Sequence, residues 1–201
     1  GKKISFDIKN EIKDIVSKRV SSNKKIPHLA AIIVGNDGAS LTYVGSKVKA
    51  CDYVGFKSTL IRLDDSISEK SLLGHINDLN NDNEIDGFIV QLPLPKSINE
   101  QKVLLSIDPK KDVDGFHPTN FGQMTLEMES FIPATPYGII ELLERYNIET
   151  SGKNCVVIGR SNIVGSPISI LMSKNTYPGN CTVTLAHSRT KDLSSITKTA
   201  D

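Results

Sequence analysis

The chain has 201 residues, of which 23% are charged and 38% hydrophobic, as is ordinary for one large or two small globular domains. Its formal charge of +1 comes from scattered basic residues, so neither a nucleic acid nor an anionic membrane is an expected partner. No apolar run approaches the length of a membrane span, and the first residues lack a signal peptide's apolar core.

Short apolar runs alternate with helical patterns through the first half of the chain. Residues 28–34 are continuously apolar, which is typical of a strand buried on both faces. The predicted elements are, in chain order, helix 6–20, strand 28–34, a helix around Tyr43 that ends at Gly55, strand 57–63, helix 69–79, strand 85–90 and helix 99–107. This βαβαβ alternation predicts a parallel sheet covered by helices, an αβα arrangement.

The pattern changes near residues 133–136. Helix 138–146 is followed by strand 155–158, by a helix with Pro167 near its first turn and by strand 181–186. We place a domain boundary near residues 148–152, so that residues 1–148 form the first domain and residues 149–201 the second. The chain stops where a further strand is expected, and a dinucleotide-binding fold usually has about six strands. We therefore expect a piece of a longer protein, with its second domain only partly present.

Three cysteines, Cys51, Cys155 and Cys181, lie inside predicted helices or strands. Their odd number and their positions favour reduced, packed thiols over disulfides. The expected setting is cytoplasmic.

Lys47 stands four residues after Tyr43 in a predicted helix, so both side chains lie on one helix face. A phenol can stack on a flat ring or donate a hydrogen bond. An amine can give or take a proton once it is desolvated. The pair is a candidate catalytic site.

A glycine turn, residues 159–165, lies between a predicted strand and a helix, where main chain can approach a pyrophosphate. Ser161 replaces the second glycine of the usual G-x-G-x-x-G pattern, so a simple tight turn stays an alternative. The next strand ends in His187-Ser188-Arg189 rather than in the acid that holds the ribose hydroxyls of NAD. Hydroxyl and guanidinium groups suit a 2′-phosphate, which favours NADP, and Arg160 could add to them or be merely solvated.

Two further loops carry polar residues. Gln91 follows strand 85–90, at the strand end where parallel sheets bind ligands, although a glutamine there can also be simply solvated. Asp112 and Asp114 precede a glycine, and an Asx turn explains such a pattern equally well. With His117 they resemble metal ligands only superficially, because the spacing is poor, and no metal is expected.

Together these motifs resemble methylenetetrahydrofolate dehydrogenase/cyclohydrolase, the bifunctional folate enzyme of the FolD type. The resemblance runs in order along the whole chain. The matching blocks are residues 34–51, 86–95, 111–115, 133–138 and 159–167. It implies a catalytic domain with a linker helix, an NADP-binding Rossmann domain, tetrahydrofolate substrates and a homodimer.

Carried over by position, the resemblance gives Lys47 the central catalytic role, with Tyr43 beside it against the pterin. Gln91 resembles the residue that tunes that lysine, Asp114 the carboxylate that grips the pterin, and Ser40 a neighbour of the same site. The implied cofactor contacts are Gly159, Arg160, Ser161, Ile163 and Ser188. Ala134 departs from the family, which usually has cysteine there, so cysteine chemistry is not expected at that position.

Three alternatives remain open at this point. A short-chain dehydrogenase also pairs tyrosine and lysine, but there the pair follows the glycine turn. An enzyme like shikimate dehydrogenase shares the two-domain layout, yet leaves residues 91–95 unexplained. A non-catalytic nucleotide-sensing or partner-binding protein would not need Tyr43, Lys47, Gln91 and Asp114 together.

Overall fold

The computed structural model describes residues 1–201 as two compact units, Gly1–Val113 and Asp114–Asp201. The first unit contains four helices and three strands, and the second contains four helices and two strands. The elements are α1 Lys2–Ser21, β1 His28–Val34, α2 Gly38–Val54, β2 Lys57–Leu63, α3 Glu69–Asn81, β3 Gly87–Val90, α4 Glu100–Ser106, α5 Pro118–Thr125, α6 Ala134–Arg145, β4 Asn154–Ile158, α7 Gly165–Ser173, β5 Thr182–Ala186 and α8 Leu193–Thr197. None of these helices has the length and apolar character needed to cross a bilayer.

The first unit is built on a parallel sheet with strand order β2-β1-β3, as predicted. Successive residues of β1 point to opposite faces, and both faces are apolar. Ala30, Ile32 and Val34 pack against residues of α3 and α4, whereas Ala31 and Ile33 pack against Val44 of α2. Burial on both faces explains why β1 is continuously apolar in the sequence.

Polar groups at the amino edge of this sheet form hydrogen bonds and an ion pair with one another. The Asp86 carboxylate accepts a hydrogen bond from the His28 backbone N–H at 2.9 Å and pairs with the Lys25 ammonium at 2.8 Å. Burial by itself would raise the pKa of Asp86, but these two partners outweigh it and leave the pKa lowered. The amino edge is therefore occupied by structural contacts.

A short segment next to β3 extends the sheet. Phe88 donates its N–H to the Lys111 carbonyl at 2.9 Å and forms a parallel bridge with Asp112. The Lys111 ammonium donates to the carbonyls of Leu79 and Asp82, at the end of α3. These contacts fix the segment that leads into Asp114.

The second unit pairs β4 with β5 in parallel and covers one face of that pair with α6 and α7. Helix α6 begins at Ala134, four residues earlier than predicted, because Pro133 and Pro136 fall where a helix needs no N–H donor. Helices α5 and α8 were not predicted. Both are short, and each begins after a residue whose side chain accepts a backbone N–H, His117 and Asp192 respectively.

The compact units divide between Val113 and Asp114, whereas the sequence placed the boundary near residues 148–152. The difference comes from α6, whose Ile140 and Leu143 pack with Ile168 and Met172 of α7. Compactness therefore groups α6 with the second unit.

The three cysteines form no disulfide. Burial raises the pKa of each thiol above its ordinary value, which keeps them protonated and unreactive. This agrees with the packed, reduced thiols predicted from the sequence.

Helix α5 ends in a left-handed turn at Glu127, and its effect on stability can be tested. Glu127 has φ +60°, while its N–H donates to the Met124 carbonyl and the Met128 N–H donates to the Gln123 carbonyl. This left-handed helix ending suits glycine and strains glutamate. Glu127→Gly should raise the free energy of unfolding by about 0.5–1 kcal/mol, measured by urea denaturation.

The matched control is Leu126→Gly, one residue earlier at φ −89°. There glycine relieves no strain and loses backbone entropy, so stability should fall. If Glu127→Gly destabilised the protein as much as Leu126→Gly, the left-handed turn would not be strained.

Candidate active site

The candidate catalytic helix begins at a well-formed cap. The Asp37 carboxylate accepts the Ser40 backbone N–H at 2.8 Å, and α2 starts at Gly38. The same hydrogen bond lowers the pKa of Asp37, which keeps the cap ionised. Helix α2 thus starts directly after the carboxyl end of β1.

Tyr43 and Lys47 lie at the border of the buried side of α2. At about 100° per residue, Ser40, Val44, Lys47 and Cys51 fall within about 60° of one another, and Tyr43 lies about 40° from Lys47. Ser40, Val44 and Cys51 are buried, Lys47 is half-buried, and Tyr43 is 64% exposed. The Lys47 side chain is thus partly shielded from solvent, and the Tyr43 ring is open to a ligand.

The direction of these side chains follows from the helix geometry. Side chains in a helix tilt toward its N-terminus. Because α2 starts at the carboxyl end of β1, the Tyr43 and Lys47 side chains lean toward that edge of the sheet. This is the edge where ligands bind in open parallel sheets.

Gln91 lies at the same edge. Its backbone N–H donates to the Ile32 carbonyl at 2.9 Å, which extends the pairing of β3 with β1 by one residue. The side chain is half-buried, and its amide nitrogen donates to the Leu92 carbonyl at 2.7 Å. With the nitrogen held by main chain, the amide oxygen is oriented as the acceptor for a ligand or an ammonium group.

The acidic loop divides into structural and candidate residues. Asp112 is only 2% exposed and lies in the bridge to Phe88. The His117 ring caps α5 by accepting the Thr119 N–H at Nδ1, 3.1 Å away. Asp114, half-buried, is the first residue of the second unit. Asp112 is thus buried within the fold and His117 caps a helix, and Asp114 stays the candidate for substrate binding.

The glycine turn of the second unit is tightly packed. Gly159 has φ +115°, in the region that favours glycine, and donates its N–H to the Ala186 carbonyl at 2.8 Å. A Cβ on Gly165 would overlap the Gly159 carbonyl oxygen, so the start of α7 rests directly on the turn. The Ser161 hydroxyl accepts the N–H groups of Val164 and Gly165 at 3.2 and 3.3 Å.

Strand register brings two candidate cofactor residues to one edge. Ile158 of β4 pairs with Ala186 of β5, so Arg160 and Ser188 each follow two residues after these partners. Arg160, Ser161, Ile163 and Ser188 are all exposed around the turn. Exposed guanidinium and hydroxyl groups at a helix start fit a phosphate-bearing dinucleotide. The cap made by Ser161 is a structural role that the sequence did not reveal.

Comparisons with known proteins agree with this layout. The catalytic-domain model of tetrahydrofolate dehydrogenase/cyclohydrolase matches residues 1–114, and the NAD(P)-binding-domain model of the same enzymes matches residues 133–201. The bifunctional protein FolD of Flavobacterium johnsoniae is 67% identical over the whole chain, which covers 68% of that protein.

Two solved structures are also similar. The FolD methylenetetrahydrofolate dehydrogenase/cyclohydrolase of Campylobacter jejuni has a TM-score of 0.94 at 44% identity, covering 100% of this chain and 70% of that one. The Trypanosoma brucei enzyme, solved with NADP cofactor and an inhibitor, has a TM-score of 0.93 at 32% identity, covering 100% and 68% respectively.

The fold and the order of its two sites define an NAD(P)-dependent enzyme with a catalytic domain before its cofactor domain. The chain belongs to the tetrahydrofolate dehydrogenase/cyclohydrolase family. The predictions of fold class, enzyme class and folate substrates are confirmed. The shikimate dehydrogenase alternative is set aside, because both family models match the folate enzyme.

The close packing at Gly165 gives a testable asymmetry between two glycines of the second unit. Gly165→Ala should lower the free energy of unfolding by about 1–3 kcal/mol, because the methyl group has no space beside Gly159. Gly138→Ala should instead raise it by about 0.5–1 kcal/mol, since Gly138 lies inside α6 with open space around it. Thermal unfolding of both variants checks the signs, and equal effects would contradict the packing described for the turn.

Proposed function

We propose that the protein oxidises 5,10-methylenetetrahydrofolate to 5,10-methenyltetrahydrofolate with NADP, and hydrolyses that product to 10-formyltetrahydrofolate. The observation that supports this most is that α2, which carries Tyr43 and Lys47, starts at the sheet edge into which Gln91 extends. Family membership supplies the folate substrate and the type of cofactor.

Each residue of the first site has a proposed role. Lys47 is the proton-transfer group, and Tyr43 packs its exposed ring against the pterin. Gln91 accepts a hydrogen bond from the lysine through the amide oxygen that Leu92 leaves available. Ser40 belongs to the same site, and Asp114 binds the amino and ring N–H groups of the pterin. These roles rest on the family resemblance, together with the exposure of Tyr43 and the partial exposure of Lys47, Gln91 and Asp114.

The oxidation requires little acid–base catalysis by the protein. When bound, NADP accepts a hydride from the methylene carbon that bridges the two folate nitrogens. The protein has to hold donor and acceptor close and aligned. We assign this task to Tyr43 and Asp114 on the folate and to the glycine turn on the cofactor.

The hydrolysis requires proton transfers. Water adds its oxygen to the cationic methenyl carbon and loses a proton. As the bond from that carbon to N5 breaks, N5 gains a proton and the hydroxyl loses its own, which leaves a formyl group on N10 and releases one proton overall. The amine of the half-buried residue Lys47 is suited to take the first proton and to deliver one to N5.

The proposed cofactor contacts are Gly159, Arg160, Ser161, Ile163 and Ser188. Arg160 and Ser188, which strand register brings to one edge, would hold the 2′-phosphate that distinguishes NADP from NAD. The Ser161 oxygen accepts two N–H groups, and its own O–H can still donate to a phosphate oxygen. Structural and binding roles are thus compatible at this residue.

Three further proposals rest on the family resemblance. We propose that the enzyme is a homodimer. A second proposal is that it works in the cytoplasm, which the three unpaired thiols also support. We also propose that residues 1–148, with α6 as a linker helix, form the functional folate-binding part, and residues 149–201 the NADP-binding part.

Lys47→Met should lower the cyclohydrolase rate by about 10²–10⁴, because methionine keeps the bulk of lysine but transfers no proton. NADP affinity should not change. The measurement is the loss of methenyltetrahydrofolate absorbance, together with an NADP titration.

The control is Lys49→Met, which alters an exposed lysine on the opposite side of α2. Its hydrolysis rate should equal that of the unaltered protein. Normal hydrolysis by Lys47→Met would remove Lys47 from the mechanism.

The proposed oxidation is tested by following NADP⁺ reduction with methylenetetrahydrofolate at 340 nm (about the absorbance maximum of the reduced nicotinamide). We expect NADP⁺ to be reduced with a higher kcat/KM than NAD⁺, because Arg160 and Ser188 suit a 2′-phosphate. Preference for NAD⁺ would refute the assignment of those two residues, and reduction of neither would refute the dehydrogenase activity.

A further inference from the structure

The loop that follows β5 is closed by two hydrogen bonds between its first and last residues, and a third lies within it. His187 donates its N–H to the Thr190 hydroxyl oxygen at 2.8 Å, and Thr190 donates its N–H to the His187 carbonyl at 2.8 Å. Within the loop, the Arg189 N–H donates to Nδ1 of the His187 ring at 3.1 Å. We call residues 187–190 the His187–Thr190 turn.

Two side chains, the His187 ring and the Thr190 hydroxyl, therefore accept main-chain N–H groups within this turn. The His187 ring accepts an N–H two residues later, as an asparagine or aspartate does in an Asx turn. To accept there, the neutral ring must carry its proton on Nε2. The outer residues, His187 and Thr190, are half-buried, whereas the inner residues, Ser188 and Arg189, are exposed. The outer pair holds the turn, and the inner pair faces solvent.

The turn lies beside the glycine turn. The Gly159 N–H donates to the carbonyl of Ala186, the residue immediately before His187. Strand register places Arg160 and Ser188 equally far beyond their paired strands. A hydroxyl and two guanidinium groups, from Ser188, Arg160 and Arg189, thus come from two adjacent loops at one sheet edge.

We propose that His187 and Thr190 are positioning residues that set the preference for NADP over NAD by fixing Ser188 and Arg189 for the 2′-phosphate. The proposal rests on the proposed NADP-dependent activity. Ordering a loop opposes binding through lost conformational entropy, and a loop that is already ordered avoids that loss. Because NAD lacks the 2′-phosphate, loosening the turn should weaken NADP binding selectively.

The test removes one hydrogen bond while the shape of the side chain is kept. Thr190→Val should raise the KM and Kd for NADP about 5-fold, roughly the effect of one ordinary hydrogen bond, and leave kcat unchanged. The values for NAD should stay within about 2-fold, because the lost contact orders only the phosphate-binding residues. Calorimetric titration with each dinucleotide and steady-state kinetics measure both ratios.

Conservative variants distinguish positioning from a general loss of structure. Thr190→Ser keeps the hydroxyl, and His187→Asn keeps an acceptor for the N–H two residues on, so both should retain most of the NADP preference. His187→Leu should lose it as Thr190→Val does. Thr184→Val makes the same change at an exposed position of β5 and should alter neither dinucleotide.

The outcomes separate this proposal from the proposed function. Equal weakening of NADP and NAD by Thr190→Val, or an unchanged NADP preference in both Thr190→Val and His187→Leu, would overturn the positioning role while turnover remains. An unaltered protein that binds NAD as tightly as NADP would overturn both the 2′-phosphate assignment and the positioning role. Selective loss of NADP affinity, restored in Thr190→Ser, would establish the role.

Discussion

The fold of the first unit depends on the parallel hydrogen-bonded pairing of β1 with β2 and β3. Parallel strands must end at the same edge of a sheet, so the loops after all three strands meet there. Helix α2, with Tyr43 and Lys47, starts at that edge, and Gln91 extends β3 into it. The candidate site is thus a consequence of strand direction, and the same rule places Arg160 and Ser188 together in the second unit.

Burial explains why we expect the chemistry at this edge of the sheet. Both faces of β1 are covered by apolar side chains, so neither face can hold a polar ligand. At the amino edge, Asp86, Lys25 and the His28 N–H already satisfy one another. On α2 the change from buried Val44 to half-buried Lys47 and exposed Tyr43 occurs across one side of the helix. At that boundary the Lys47 side chain is partly shielded from solvent, whereas the Tyr43 ring is open to it.

The sequence revealed those features that strong local patterns determine. A continuous apolar run predicted β1, and the helical stripe ending at Gly55 predicted α2, because burial and glycine act over a few residues. Tyr43 and Lys47 could be placed on one helix face by their spacing, and Gln91 at the ligand-binding strand end, because parallel topology follows from the βαβ order.

Other features depend on contacts between distant residues and could not be predicted. Helix α5 has few apolar residues, and its cap is a histidine ring, a role that composition does not indicate. The grouping of α6 with the second unit depends on its packing against α7, and the order of the predicted elements does not reveal that packing. Likewise the resemblance implied only a cofactor contact for Ser161, and the sequence patterns did not single out Thr190, yet both hydroxyls accept main-chain N–H groups.

The central claim is that the amine of Lys47 and the ring of Tyr43 together receive the folate. A crystal structure of the protein with a stable analogue of methylenetetrahydrofolate tests this most directly. We expect the analogue's ring system to pack on Tyr43, with the Lys47 Nζ about 3 Å from a polar atom of the ligand or of Gln91. An analogue bound elsewhere, for instance in the groove that Val16, Tyr53 and Gly55 line between α1 and α2, would contradict it.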